Sequence, residues 1–361
     1  MLHKWWGVGL VVVLGLVWLA LGERTGSVQP ALKAQQLQQA TPLAESAESS
    51  PTVVVPAPAP PAQDETAHAA PAPAATPAAQ PADVTEDAAI EHALSLRQAG
   101  DEAGAVAALR RAIQQAQTVE QGARAGLFLA PSVADLAERR QYLSAALEAG
   151  VVRGEEYEHV GGSLRELNLS AAKSLQPLIA AETYTVASGD SLWKLCNRTF
   201  PEKFGVTPEV GLLRLVNGLT RDSLRAGQVL KVPKALLVVK VDTQQHGLVA
   251  WLGDVAVAAY RVGLGRDDRT PRRTFSVLVK QENPAWFYAG RTIPFGDPEN
   301  ILGTRWMGFD SQPGASGFGI HGTSLPESIG KNESMGCVRM RNAEVEELFE
   351  LVPRGTQVTI F

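Results

Sequence analysis

The sequence predicts a multidomain chain ending in a mainly-β domain of sandwich or barrel-like form. A small βααβ unit precedes that domain, and an α-helical region behind a disordered linker precedes the unit. Three observations carry this reading. After Pro233 apolar residues alternate with period two, as in Val239-Lys240-Val241-Asp242, which is the spacing of strands. From Val84 to about Ala180 they recur three and four apart, the spacing of helices. Residues 23–83 are rich in Pro, Ala, Gln, Glu, Ser and Thr, with too little apolar surface to offset the entropy of ordering them.

The chain opens with Met1-Leu2-His3-Lys4 and then an uncharged run from Trp5 to Gly22, with tryptophans near its ends. Eighteen such residues suffice to span a bilayer as a helix, so residues 1–22 read as an inner-membrane anchor. A signal peptide cleaved near Ala20-Leu21-Gly22 is the alternative, and either reading exports the rest. No cysteine lies in the first hundred residues, which excludes a lipid-anchored lipoprotein. The linker 23–83, at roughly 3 Å per residue in polyproline form, reaches well over 100 Å, which suits a tether between a membrane and a surrounding polymer. In the helical region, 84–182, Ala88 to Leu96 is followed by a break at Gly100-Asp101. Val106, Leu109 and Ile113 repeat at helical spacing, and Ser132 is placed to cap a helix from Val133 to Ala149. Such a region serves either as a spacer packed on its neighbours or as a module that binds a protein partner.

Residues 183–234 read as strand, two helices, strand. Tyr184-Thr185-Val186 leads to Gly189-Asp190-Ser191-Leu192-Trp193, where Asp190 or Ser191 caps the first helix. Leu212 to Asn217 is the second helix, and Gly227-Gln228 turns into a strand through Val232. In residues 235–361, Leu236 to Asp242, Gly247 to Leu252 and Val255 to Val262 are strands joined by turns at Gln244 to Gly247 and at Gly253-Asp254. Phe275 to Val279 and Gln357 to Phe361 are further strands. One helix intrudes, capped by Asn342, with Val345, Leu348, Phe349 and Val352 facing inward and Pro353 and Gly355 stopping it.

The 361 residues carry a formal net charge of −5 and no basic stripe interleaved with aromatics, which argues against nucleic acid as the main partner. The six histidines are scattered and neither His-Glu-x-x-His nor Cys-x-x-Cys occurs, so no metal site and no cofactor is expected. Of the two cysteines, Cys196 falls on the apolar face of Leu192-Trp193-Lys194-Leu195-Cys196, where a free thiol buries as a small hydrophobe. Cys337 belongs to another domain, so both thiols are expected to be free. Cys337 also follows His321 by sixteen positions, each beside a glycine. A thiol becomes a strong nucleophile when a base takes its proton, and imidazole is the commonest such base.

Gly319-Ile320-His321-Gly322-Thr323, Ser328 to Lys331 and Ser334-Met335-Gly336-Cys337-Val338-Arg339-Met340 together resemble the L,D-transpeptidase (YkuD-type) family of cell-wall enzymes. Thr270-Pro271 with Thr274-Phe275, and Asn300 to Gly303 with Arg305-Trp306-Met307, fit the same pattern, although Arg273 and Ile301 stand where the family usually has glycine and proline. The resemblance implies Cys337 as nucleophile and His321 as base, acting on the peptide stems of peptidoglycan. It implies oxyanion-stabilising or orienting roles for Gly336, Gly322 and Ser334, and substrate contacts for Arg339, Trp306 and Thr323. Arg339 either binds a substrate carboxylate or ties its own loop, and Trp306 is either a wall of the site or a core aromatic. Residues 184–233 resemble a LysM domain, which implies binding of N-acetylglucosamine-containing glycan strands near Gly189, Asp190 and Ser191, facing Leu219 to Asp222. Transfer of the acyl-enzyme to an amine is the expected reaction. Hydrolysis by a carboxypeptidase or endopeptidase on the same scaffold, or a non-catalytic wall anchor, are the alternatives.

Overall fold

The computed structural model describes residues 83–361; the expectations for residues 1–22 and for the linker before Asp83 lie outside them. Among the described residues no helix is long and apolar enough to cross a membrane.

The helical region is a run of helices joined by short turns: α1 (Asp83–Gln98), α2 (Glu102–Gln115), α3 (Val119–Leu129), α4 (Leu136–Glu148), α5 (Glu156–Asn168) and the single turn α6 (Ala171–Ser174). Asp101 caps α2 by accepting Gly104 N–H, and Thr118 caps α3 by accepting Gln121 N–H. The expected cap at Ser132 is corrected. Pro131 holds that stretch in a 3₁₀ turn, and the chain restarts at Asp135, whose carboxylate accepts the N–H groups of Ala137 and Glu138. The Ser132 hydroxyl instead meets Glu102 and Arg97.

The βααβ unit pairs β1 (Ala181–Thr185) with β2 (Val229–Pro233), antiparallel. Between them a bulged helix, α7, runs through Leu192–Lys194, Leu195–Thr199 and Phe200–Phe204, followed by α8 (Val210–Asn217). Its small core holds Val186, Leu192, Leu195, Cys196, Phe200, Leu213 and Leu230. Tyr184 meets Phe200 edge-on at 5.4 Å.

The C-terminal domain is one eight-stranded mixed sheet that curls into half a barrel, in the order β13-β11-β10-β7-β14-β3-β4-β5. The strands are β3 (Leu237–Asp242), β4 (Gly247–Leu252), β5 (Val255–Arg261), β7 (Thr274–Glu282), β10 (Arg305–Phe309), β11 (Gly319–His321), β13 (Val338–Arg339) and β14 (Gln357–Ile360). Two small pairs, β6 (Leu264–Gly265) with β12 (Asn332–Ser334) and β8 (Trp286–Tyr288) with β9 (Arg291–Ile293), flank it. Helix α9 (Asn342–Leu351) covers one face and buries Val345, Leu348 and Phe349 there.

Strands β4 and β5 are buried on both faces. One face joins the main core; on the other, Val249, Trp251, Ala256 and Ala259 pack under the helical region. β5 ends the sheet, and helix side chains take up its outer backbone groups. Ser144 Oγ accepts Ala256 N–H at 3.0 Å, Arg140 Nη1 donates to Ala256 O at 3.0 Å, and Asn168 Nδ2 donates to Val257 O at 3.0 Å. The helical region is therefore a wall of the β domain.

Candidate active site

In a strand, residues two apart share a face, and in a sheet paired residues share one too. β11 and β13 run parallel with Ile320 opposite Val338 and His321 opposite Arg339. Hence Ile320, Val338 and Met340 enter the core, while Cys337, Arg339 and His321 share the other face. β10 adds Trp306, opposite His321, with the two rings 5.8 Å apart. All four side chains line one cleft of about 560 Å³, counted out to its open mouth.

The chain reaches Cys337 through a turn that only glycine tolerates. Gly336 has φ +130°, and a Cβ there would lie 2.4 Å from the Phe318 ring. Ser334, fully buried, braces this turn: its hydroxyl accepts Gly336 N–H at 3.0 Å and donates to Cys337 O at 2.7 Å. Both partners of the hydroxyl are backbone groups of the cysteine turn, so Ser334 shapes that loop.

His321 Nδ1 lies 2.5 Å from Gly322 O. A carbonyl only accepts, so Nδ1 carries the proton and Nε2 is left as a lone-pair base. Gly322 is held in turn by Asn342, whose Oδ1 accepts Thr323 N–H at 3.1 Å and Thr304 N–H at 3.2 Å. Asn342 was expected to cap α9, but no side chain caps that helix, and Asn342 turns back to pin the two loops behind the imidazole. The reach of that amide, 19 residues to one partner and 38 to the other, gives no local sequence signal.

Burial pushes His321 down to about 4; the Arg339 charge acts in the same direction, against hydrogen bonds to Gly322 and Leu302. Burial pushes the Cys337 thiol up to about 11, opposed by a backbone hydrogen bond at Gly319 and by Arg339. Both groups are thus neutral at rest near pH 7. Arg339 is 7% exposed, and its Nε has no hydrogen-bond partner among the described residues.

The outer wall is apolar. Trp286, Phe287 and Tyr288 of the β8–β9 hairpin overlook the cleft, with Trp286 stacked on Tyr288 at 4.6 Å. Ile301 and Leu302 complete it from a loop that Asn300 fixes, its amide donating to the carbonyls of Pro284, Ile293 and Pro294. The hairpin escaped sequence reading because its strands are three residues each. Thr323 does not line the cleft; it is buried, with its hydroxyl accepting Leu325 N–H.

In the βααβ unit, Gly189 turns the chain at φ +83°. The Asp190 carboxylate accepts Tyr184 O–H and Ala187 N–H and pairs with Lys194, so it is committed to the turn. Ser191 caps α7 by accepting Lys194 N–H. Trp193, in the first turn of α7, is 60% exposed, with the Arg198 guanidinium 5.7 Å from its ring centre. Both cysteines are free, and burial pushes the Cys196 thiol up to about 12.

The sequence profile of the YkuD L,D-transpeptidase catalytic domain matches residues 237–360, and that of the LysM domain matches residues 184–233. YqjB of Bacillus subtilis strain 168, named as an L,D-transpeptidase, is 46% identical over 125 residues, covering 34% of this chain and 69% of that protein. YkuD of the same organism, also so named, is 30% identical over 185 residues, covering 49% of this chain and 98% of that protein. The solved catalytic domain of the E. faecium L,D-transpeptidase aligns at 22% identity, over 35% of this chain and 98% of that chain, with a TM-score of 0.29. With its own LysM domain ahead of the catalytic sheet, this chain belongs to the L,D-transpeptidase family.

Proposed function

We propose that the protein is a peptidoglycan L,D-transpeptidase that works through a Cys337 thioester. The single observation behind this is the shared strand face: nucleophile, base and a buried cation converge on one cleft. His321 Nε2 takes the proton from Cys337 Sγ as the sulfur attacks the carbonyl carbon after the third residue of a tetrapeptide stem. The C–N bond to the terminal D-Ala breaks, the imidazolium protonates the leaving amine, and a thioester remains. An acceptor amine then attacks, giving its proton to His321, which returns it to the departing sulfur. The neutral resting pair fits this sequence, since the ion pair then forms only once substrate is in place. Because the Gly336 N–H is engaged by Ser334, the oxyanion falls to the Cys337 N–H. Arg339, buried with Nε unpartnered, has the planar fork for a stem carboxylate.

In the same reading the LysM domain holds glycan strands, with Trp193 available to stack on a sugar ring. The Trp5–Gly22 run and the Pro/Ala-rich linker serve as inner-membrane anchor and tether for an exported, envelope enzyme, and fractionation of the full-length protein between membrane and soluble envelope pools tests that part.

Incubation with purified tetrapeptide-stem muropeptides, read by mass spectrometry beside Cys337→Ala, tests the chemistry. Dimers that have lost one terminal D-Ala, absent with the variant, are expected. Tripeptides without dimers would make it a carboxypeptidase. Untouched substrate and thiol in both samples would sink the catalytic reading.

A further inference from the structure

We infer that the LysM domain is a fixed part of the catalytic body, so that the glycan strand it holds meets Cys337 in a set register; this rests on the function proposed above. A glycan-binding module joined by a loose linker would carry polar residues on every outward face. Helix α8 does not. Leu213 enters the LysM core, whereas Leu212 and Val216 enter the core of the catalytic sheet, together with Ala171 and Leu175 of the helical region. One short helix thus belongs to two cores, and releasing the module would expose both of its outer leucine and valine side chains to water.

The backbones also touch. A Cβ at Gly211 of α8 would lie 2.3 Å from Glu350 O of α9, so the helices meet at a point where only a hydrogen fits. Beside it Lys280 of β7, its side chain 9% exposed, donates to Glu209 at the start of α8 and to the carbonyls of Phe349 and Val352 at the end of α9, each at 2.7 Å. A buried ammonium without its carboxylate is strongly disfavoured, so this pair opposes any swing of α8 away from α9. At the rim, Arg214 bridges Glu350 of α9 and Asp222, in the loop expected to face the glycan. On the far side Gln176 donates to Val216 O, and Lys234 N–H bonds Ala180 O, so the chain enters and leaves the module at one pinned point.

Helix α9 then links module and site. Glu350 and Phe349 near its C-terminal end seat the LysM domain, and Asn342 at its first turn pins the loops behind His321. Ten residues of helix separate the two ends by about 15 Å. The rigid helix acts as a ruler between the sugar-holding loop and the nucleophile, favouring stems at one spacing from the sugars in the groove.

Two variants of the full-length protein test this. Gly211→Val wedges α8 from α9, and Glu209→Gln removes the partner of Lys280. For each, initial rates are compared on insoluble sacculi and on soluble disaccharide-tetrapeptide, with binding of a chitooligosaccharide reporting an intact module. Gly211→Val should lower the ratio of sacculus to soluble rate about tenfold, and Glu209→Gln about threefold, as orientation and effective concentration are lost. The soluble rate should stay within about twofold and sugar affinity should hold. If Gly211→Val loses either control, Glu209→Gln decides. Ratios equal to wild type overturn the ruler while leaving the transpeptidase in place. A wild type that turns over neither substrate overturns the functional reading, and this inference with it.

Discussion

Cys337 and His321 are both held away from their charged forms, and that has two consequences at the scale of single residues. The first concerns reactivity. With the thiol pushed up to about 11, iodoacetamide should alkylate Cys337 slowly at pH 7, and faster by roughly tenfold per pH unit as the thiolate fraction grows. Arg339 favours the thiolate, so Arg339→Gln should slow alkylation at any given pH; an unchanged profile would remove Arg339 from the electrostatics of the site. The second concerns stability. His321 titrates near 4 when folded against 6.5 as its ordinary value, so the unfolded chain binds the proton first. Stability is then fully present above about pH 6.5 and is lost as pH falls from there towards 4. His321→Gln should flatten that part of a urea-midpoint-against-pH curve. Asn342 gives a third test. Asn342→Leu removes the one oxygen that accepts both N–H groups behind the imidazole and should lower kcat at least tenfold with little change in KM, whereas Asn342→Asp, which keeps an acceptor there, should recover most of it. The period-two alternation of Ile320-His321 and of Cys337-Val338-Arg339 already sorts these side chains between core and cleft. The role of Asn342 is not legible, because asparagine at a helix start reads as a cap and its partners lie far off in sequence.

At the scale of elements, α4 and β5 meet through buried polar groups. Arg140 is fully buried and has no carboxylate partner among the described residues; burial pushes it down to about 10, and its charge is dispersed over Ala256 O, Asn168 and Ser174. Arg140→Met keeps much of the side-chain volume but strands these acceptors, at a cost of roughly 2–4 kcal/mol, readable as a lower urea midpoint with unchanged m-value. Midpoints within a few tenths molar of wild type would show that solvent reaches the interface. The two-sided burial of β4 and β5 departs from the period-two alternation expected after Pro233: Gly247-Leu248-Val249-Ala250-Trp251-Leu252 is a continuous apolar run, the pattern of a strand covered on both faces. What the run cannot say is which element covers the second face. Helices α2, α3 and α5 show apolar stripes, and nothing local assigns their partner.

At the scale of the molecule, the catalytic sheet shares its core with α8 of the LysM domain and with α6 of the helical region. Residues 83–361 should therefore unfold as one cooperative unit, and calorimetry on the intact protein should give a single transition with matching calorimetric and van't Hoff enthalpies. Separate transitions for the LysM and catalytic parts would contradict the shared core. The helical and strand periodicities of the three parts are legible in the sequence; their fusion is not, because it rests on long-range pairs such as Lys280 with Glu209 and Arg140 with Ala256. That last pair bears on how the protein can be handled. A fragment trimmed to the catalytic sheet alone would bare Trp251 and Val249 and leave the outer backbone of β5 unmet, a ready template for another copy. Such a fragment is expected to self-associate and precipitate where the longer protein stays dispersed, so the helices act as a built-in guard against aggregation.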